Sequence, residues 1–385
     1  MSGGRSGSPV RRPAGADLFR VLSVLVVAWF HIWQQTWLTP PGRLEAVVRT
    51  GYLWVDHTIL LSGFCLYLPY ACDRAEGLAF RGTRGFWRRR AMRILPAYWL
   101  VVLLGAAVHL SRNPADRWFW EDLLMHLTLT QNFSVHARLN SALGGALWTV
   151  EVLAGFYLLF PLLVRLYRRC CGLALALAGA VQLAATAVCF ALPPEGAALQ
   201  MLFNTVPAFM FTFCLGMAGA DLYSRCAGRG RGNAGRLLWL GALPLCLWGS
   251  VQFAQKAAAA RPPALWQITW RIPWSLWGLV LLLALCLGLS GFQSRALAFL
   301  AGLSYPFYLC HQQLAVWLKY VWHIPFWSGQ TPPNQLGDTA WSRQYGLLCW
   351  AGAVLLSLGV WLAAEGIGHR LRKVFPLSLL QNGRK

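Results

Sequence analysis

Charge is what this chain has least of. Only 12% of its 385 residues are Asp, Glu, Lys or Arg, and just 13 of them are acidic. Soluble domains run at about 25% charged, so a fully water-covered surface of this size is excluded and much of it is assigned to lipid. The scarcity of acids leaves a net charge of +21. In a soluble protein that excess would point to nucleic acid. Here the basic residues lie between apolar runs, where the positive-inside rule accounts for them, and no nucleic-acid partner is expected. The 11 cysteines form no CxxC and no metal-ligand spacing. They read as small apolar helix residues, so neither a disulfide framework nor a metal site is expected. No internal repeat is visible, and no polar stretch is long enough for a separate soluble domain. A cleavable signal is not expected either. Residues 1–16 are polar and basic, and the apolar run after them is too long for a signal core.

Apolar residues make up 57% of the chain, and there are 21 tryptophans, the residue favoured at membrane–water interfaces. A spanning helix needs about 20 mainly apolar residues. The sequence predicts an all-α integral membrane protein with about ten such helices, over 17–37, 51–70, 93–110, 146–165, 172–192, 200–223, 236–254, 267–291, 296–320 and 344–366. The breaks carry turn chemistry, as at Pro40–Pro41, Pro193–Gly196 and Pro332–Pro333. A short interfacial helix is expected within 111–145. With the N-terminus inside, 23 Lys and Arg fall in inner segments and eight in outer loops, with Arg20, Arg271 and Lys319 at or within helices. Both termini are therefore expected to be cytoplasmic. A membrane domain over 17–370 is expected between basic tails at 1–16 and 371–385.

Ionisable residues inside spanning segments are costly and are functional candidates. Arg20 and His31 lie 11 residues apart in the first helix, within about 20° of the same face and separated by roughly 16 Å of rise. Asp17 is three residues before Arg20 and is positioned to pair with it. Each has a plain structural alternative, a snorkelling arginine and a packed histidine, but histidine at depth also suits a general base. Asp56 is a candidate to orient His31 or bind a hydroxyl, or else to serve as a helix-end hydrogen-bonding group. Ser62–Gly63 fits close helix contact. Arg90 and Arg93 stand three apart at the expected start of the third helix, where free N–H groups and two guanidiniums make a phosphate cradle. The same cluster also serves as a topogenic signal. Glu151 opens the fourth helix and either acts chemically or pairs with an outer arginine. His311 shares a face with Ser304 and stays open between structure and substrate contact.

Five ordered segments resemble the acyltransferase 3 family of multi-spanning membrane acyltransferases. They are the basic-x10-His of Arg20 and His31, with Asp17 before it, and Val55-Asp56 through Leu61-Ser62-Gly63-Phe64. Arg90 through Arg93-Ile94-Leu95-Pro96, Trp148 to Pro161, and Leu303 to His311 complete the set. The resemblance implies an acyl-CoA donor, usually acetyl-CoA, engaged by Arg90 and Arg93 on the cytoplasmic side. His31 is then the catalytic residue, with Arg20 supporting donor binding or catalysis, and His31 either deprotonates the acceptor or carries the acyl group briefly. No tightly bound cofactor is implied. The acceptor would be a carbohydrate or lipid-linked molecule of the cell envelope, reached within a lipid-surrounded core, and the setting a bacterial plasma membrane. Two departures stand out. The family's frequent Glu falls on Leu153, with Glu151 two places earlier, and no extracytoplasmic hydrolase-like domain is fused to the core. From other classes, a transporter or flippase would also use intramembrane charge, but predicts paired broken helices in both halves, which are not seen. A lipid-linked glycosyltransferase would want carboxylates in the first outer loop, where only Glu45 stands.

Overall fold

The computed structural model describes residues 12–72, 83–229 and 233–374. Among these residues there is no strand. In chain order the α-helices are α1 (Ala14–Thr36), α2 (Leu44–Arg49), α3 (Trp54–Cys72), α4 (Thr83–Leu110), α5 (Phe119–Thr128), α6 (Val135–Leu139) and α7 (Trp148–Arg169). They continue as α8 (Cys171–Phe190), α9 (Ala197–Leu202), α10 (Met210–Arg229), α11 (Asn233–Ala259), α12 (Pro263–Gly288), α13 (Arg295–Val316) and α14 (Thr339–Val374). The interfacial helix expected within 111–145 is present as α5 and α6.

The expectation of ten spans is met in part. Among the described residues seven helices, α1, α4, α7, α8, α11, α12 and α14, are long and apolar enough to cross a membrane. The other three long helices, α3, α10 and α13, have 19, 20 and 22 residues but are diluted by polar groups. The reason is their place in the fold. Asp56 and His57 on α3 and Ser304, His311 and Gln313 on α13 are buried, so these polar groups meet protein rather than lipid. The expected inner tails fall largely outside the described residues, 1–11 at one end and 375–385 at the other. The tail expected from 371 begins as helix, since α14 runs through Val374.

Most boundaries moved by a few residues, but α10 begins at Met210, not 200, α14 runs to Val374, not 366, and the start of α4 moved with the most consequence for the site. That helix begins at Thr83, not 93, so Arg90 and Arg93 lie in its second and third turns. Their backbone N–H groups belong to the helix ladder, and the expected contribution from a free helix end is absent. Arginine is a good helix former, which lets the basic stretch join the apolar one.

α1 packs against α3, α12, α13 and α14, and α12 is the most buried of the seven apolar helices while α11 is the least. α1 ends where Trp37 turns left-handed at φ 56°, and the buried Lys319 donates to the Gln35 carbonyl at 3.0 Å. That ammonium caps the negative end of α1. α3 and α10 meet through glycine. A Cβ on Gly63 would lie 2.1 Å from the Phe213 carbonyl oxygen, and one on Gly216 2.0 Å from that of Leu60. Backbone-to-backbone approach of this kind holds membrane helices together through van der Waals contact. Gly63→Val should therefore force α3 and α10 apart and cost about 1–3 kcal/mol. Thermal unfolding in detergent, with Gly241→Val at an open position as the control, measures it.

Candidate functional site

The site begins with two histidines brought together from opposite ends of the chain. His31 on α1 and His311 on α13 are 280 residues apart, and their nitrogens Nδ1 and Nε2 stand 2.8 Å from each other. The second nitrogen of His311, Nδ1, is 3.2 Å from the Phe307 carbonyl oxygen. A carbonyl only accepts, so His311 Nδ1 carries the proton and its Nε2 is a bare lone pair. His31 must then donate from Nδ1, which leaves His31 Nε2 unprotonated. His311 is fully buried and stacks on Phe307 with ring centroids 6.0 Å apart. Packing thus fixes one ring, and that ring fixes the tautomer of the other.

His31 lines a cavity of about 720 Å³ with Phe30, Tyr52, Trp148, Asn204, Gln267 and Tyr308 among its walls. Aromatic faces and side-chain amides converge on it. A second cavity of about 800 Å³ is lined by Arg12, Arg20, Arg88, Arg89, Arg90 and Arg93, with Glu365 as its single acidic lining residue. Arg90 stands over the rings of Phe86 and Tyr157, 5.6 and 5.9 Å from their centroids. Arg20 on α1, Arg88, Arg89, Arg90 and Arg93 on α4, and Arg12 just before α1 share this cavity with Val24, Thr58, Leu61 and Tyr308.

The structure brings Arg20 together with Arg90 and Arg93, in a different cavity from His31, although α1 carries both. Arg20 donates to the Cys65 sulfur at 3.7 Å. Asp17 pairs with Arg12 at 3.6 Å, not with Arg20. Asp56 does not orient His31. Its carboxylate is buried 3.5 Å from Arg271 of α12. Arg271 in turn donates to the Phe203 and Ala208 carbonyls at 2.7 and 3.2 Å and to the Asn204 side chain at 2.9 Å. It thereby holds the irregular 203–209 segment, two residues of which line the His31 cavity. Glu151 accepts from the Asn132 backbone N–H at 2.9 Å. The guanidinium of Arg138, on α6 outside the spanning helices, is drawn down to about 10 by burial, with the Glu151 carboxylate opposing that shift. It stays charged at neutral pH and lies over Trp148, 4.9 Å from the ring centroid. Glu151 thus anchors the 111–147 connection and does not line either cavity.

Several residues of the site had no signal of their own in the sequence. Tyr308 stood inside a motif without a role, and Arg271 was a helix-borne charge without a partner. Arg12, Arg88 and Arg89 counted only toward topology. Among the described residues no group of three or more His, Cys, Asp or Glu is arranged to hold a metal ion.

Helices long and apolar enough to cross a membrane, with the His31–His311 pair and an arginine-lined cavity among them, define a multi-pass membrane protein. The chain belongs to the acyltransferase 3 family, whose acyltransferase domain matches residues 14–365, nearly its whole length. It is therefore an acyltransferase. No curated protein and no solved structure matches it.

Proposed function

We propose that the protein moves an acyl group, acetyl in the first instance, from acyl-CoA to a hydroxyl of a carbohydrate or lipid-linked acceptor of the cell envelope. The observation that carries this reading is the pair of cavities, one lined by six arginines and one by His31, whose linings share Tyr308. Arginine suits phosphate because its planar fork bonds two oxygens at once. A coenzyme A phosphate therefore sits against Arg90 and Arg93, with Arg20 completing the cradle from α1. Its thioester arm follows Val24 and Leu61 toward Tyr308. On the other side, Tyr52 and Trp148 offer faces to a sugar ring, and the amides of Asn204 and Gln267 offer donors and acceptors to its hydroxyls.

His31 Nε2 takes the proton of the acceptor hydroxyl as its oxygen attacks the thioester carbonyl. The C–S bond breaks, and the leaving thiolate takes the proton back. All ten long helices cross the membrane in this reading, with both ends cytoplasmic and the arginine cavity on that side. The host membrane is a bacterial plasma membrane, consistent with the family's envelope chemistry.

The donor half is tested by equilibrium binding of acetyl-CoA to the purified protein. Replacing both Arg90 and Arg93 with alanine should weaken binding by about a hundredfold, roughly tenfold per charge-assisted contact. Unchanged affinity in the double variant would remove the cradle from the mechanism.

A further inference from the structure

The two cavities share one lining residue among those described, Tyr308. On α7 the change from one cavity to the other falls between neighbours, since Trp148 lines the His31 side and Thr149 the arginine side. On α3 it falls between Val55 and Thr58. The boundary is therefore thin, and a tyrosine stands in it.

The hydroxyl of Tyr308 is held from both directions. Thr149 Oγ1 donates to it at 2.8 Å, and it donates to the Ala146 carbonyl at 3.1 Å. Its proton and a lone pair are thus both engaged with protein, so the phenol is not poised as an acid or base for substrate. The residue is 8% exposed, and its ring lies 5.5 Å from that of His311. What remains for it is its bulk, fixed in place by Thr149 between the two spaces.

We propose that Tyr308 is the partition between the cavities and decides whether the thioester meets the acceptor hydroxyl or water. This rests on the acyl-transfer reading above. A narrow partition admits the acyl group at the end of its arm but separates it from the water that fills the His31 cavity before an acceptor binds. With the ring removed, His31 would activate water by the chemistry it applies to a hydroxyl. The water oxygen bonds the carbonyl carbon, the C–S bond breaks, and a carboxylic acid and a free thiol leave. The proton passes from water through His31 to the thiolate, so atoms and charge balance without a further reactant. Tyr308 is in this sense a positioning residue that sets reaction specificity.

The full chain in liposomes, supplied with acetyl-CoA and no acceptor, reports the first readout as thiol release. Tyr308→Ala should raise this hydrolysis by about tenfold over the unmodified protein, while Tyr308→Phe, which keeps the ring, should stay close to it. A second readout needs no catalysis. Cys65 lines the arginine cavity, so a membrane-impermeant maleimide added on the His31 side should miss it in the unmodified protein and reach it in Tyr308→Ala. Mass spectrometry of the Cys65 peptide reads the labelling. If Tyr308→Ala does not fold, Tyr308→Val, which removes the ring but keeps an apolar side chain, is expected to move both readouts in the same direction. Unchanged hydrolysis or unchanged labelling in the folded variant overturns the partition, as does labelling of Cys65 from the His31 side in the unmodified protein. If the unmodified protein consumes no acetyl-CoA with any acceptor, the acyl-transfer reading falls, and the labelling alone decides the partition.

Discussion

His31→Ala should lower acyl transfer by about 10²–10⁴-fold, the range for losing a positioned general base, while the protein stays folded. The effect follows from the proton arrangement rather than from the presence of a histidine. The Phe307 carbonyl fixes His311, His311 accepts from His31 Nδ1, and the free lone pair falls on His31 Nε2. Two consequences separate this from a packing role. His31→Gln, which keeps an amide of similar reach, should be as inactive as His31→Ala, because an amide nitrogen has no basic lone pair. His311→Ala should lower turnover less, since it frees the tautomer of His31 without removing the base, and donor affinity should stay unchanged in both. Turnover measured at saturating acetyl-CoA, beside donor binding, distinguishes these outcomes. Near-normal turnover in His31→Gln would rule out His31 as the base.

The second large effect concerns stability. Arg271→Ala should destabilise the protein by about 3–5 kcal/mol, the cost of breaking a buried ion pair and leaving one charge alone. Asp56 is fully buried and Arg271 is 1% exposed. The same substitution releases the Phe203 and Ala208 carbonyls and the Asn204 side chain. The wall of the His31 cavity then loosens, so any surviving activity should show a raised KM for the acceptor and an unchanged KM for the donor. Asp56→Leu combined with Arg271→Met removes both charges and should recover most of the lost stability. Thermal unfolding in detergent compares the three proteins. Arg261, exposed and bonded to the neighbouring Ala258 and Ala260 carbonyls, is the control for removal of an arginine as such. If Arg271→Ala melts no lower than Arg261→Ala, the ion pair does not hold α3 to α12.

Helix positions were legible in the sequence because a membrane imposes a length and a composition on every span. That rule weakened where helices turn away from lipid. α3 and α13 carry Asp56, His57, His311 and Gln313 inward, and the polar groups that make the site dilute the signal of a span. The start of α4 was misjudged for the opposite reason, since a run of arginines reads as a loop although arginine sustains a helix. Within one helix the angular rule worked, and α1 does carry Arg20 and His31 along the interior. The rise of roughly 16 Å between them already set Arg20 apart from His31 in depth, and the structure places it in the cavity of Arg90 and Arg93. Partnerships between distant helices lay outside the reach of any spacing rule. His31 with His311, Asp56 with Arg271 and Thr149 with Tyr308 depend on how α1, α3, α7, α12 and α13 pack. Asp17 shows the same limit at short range, since the partner at three residues' distance lost to Arg12.

The most direct measurement follows the label of radioactive acetyl-CoA with purified protein and an envelope extract as the source of acceptor. Acyl transfer gives labelled acceptor and an equal amount of free coenzyme A thiol, and His31→Ala gives neither. Intact acetyl-CoA, together with protein-dependent movement of an envelope glycan across the bilayer, would contradict it and identify a transporter instead.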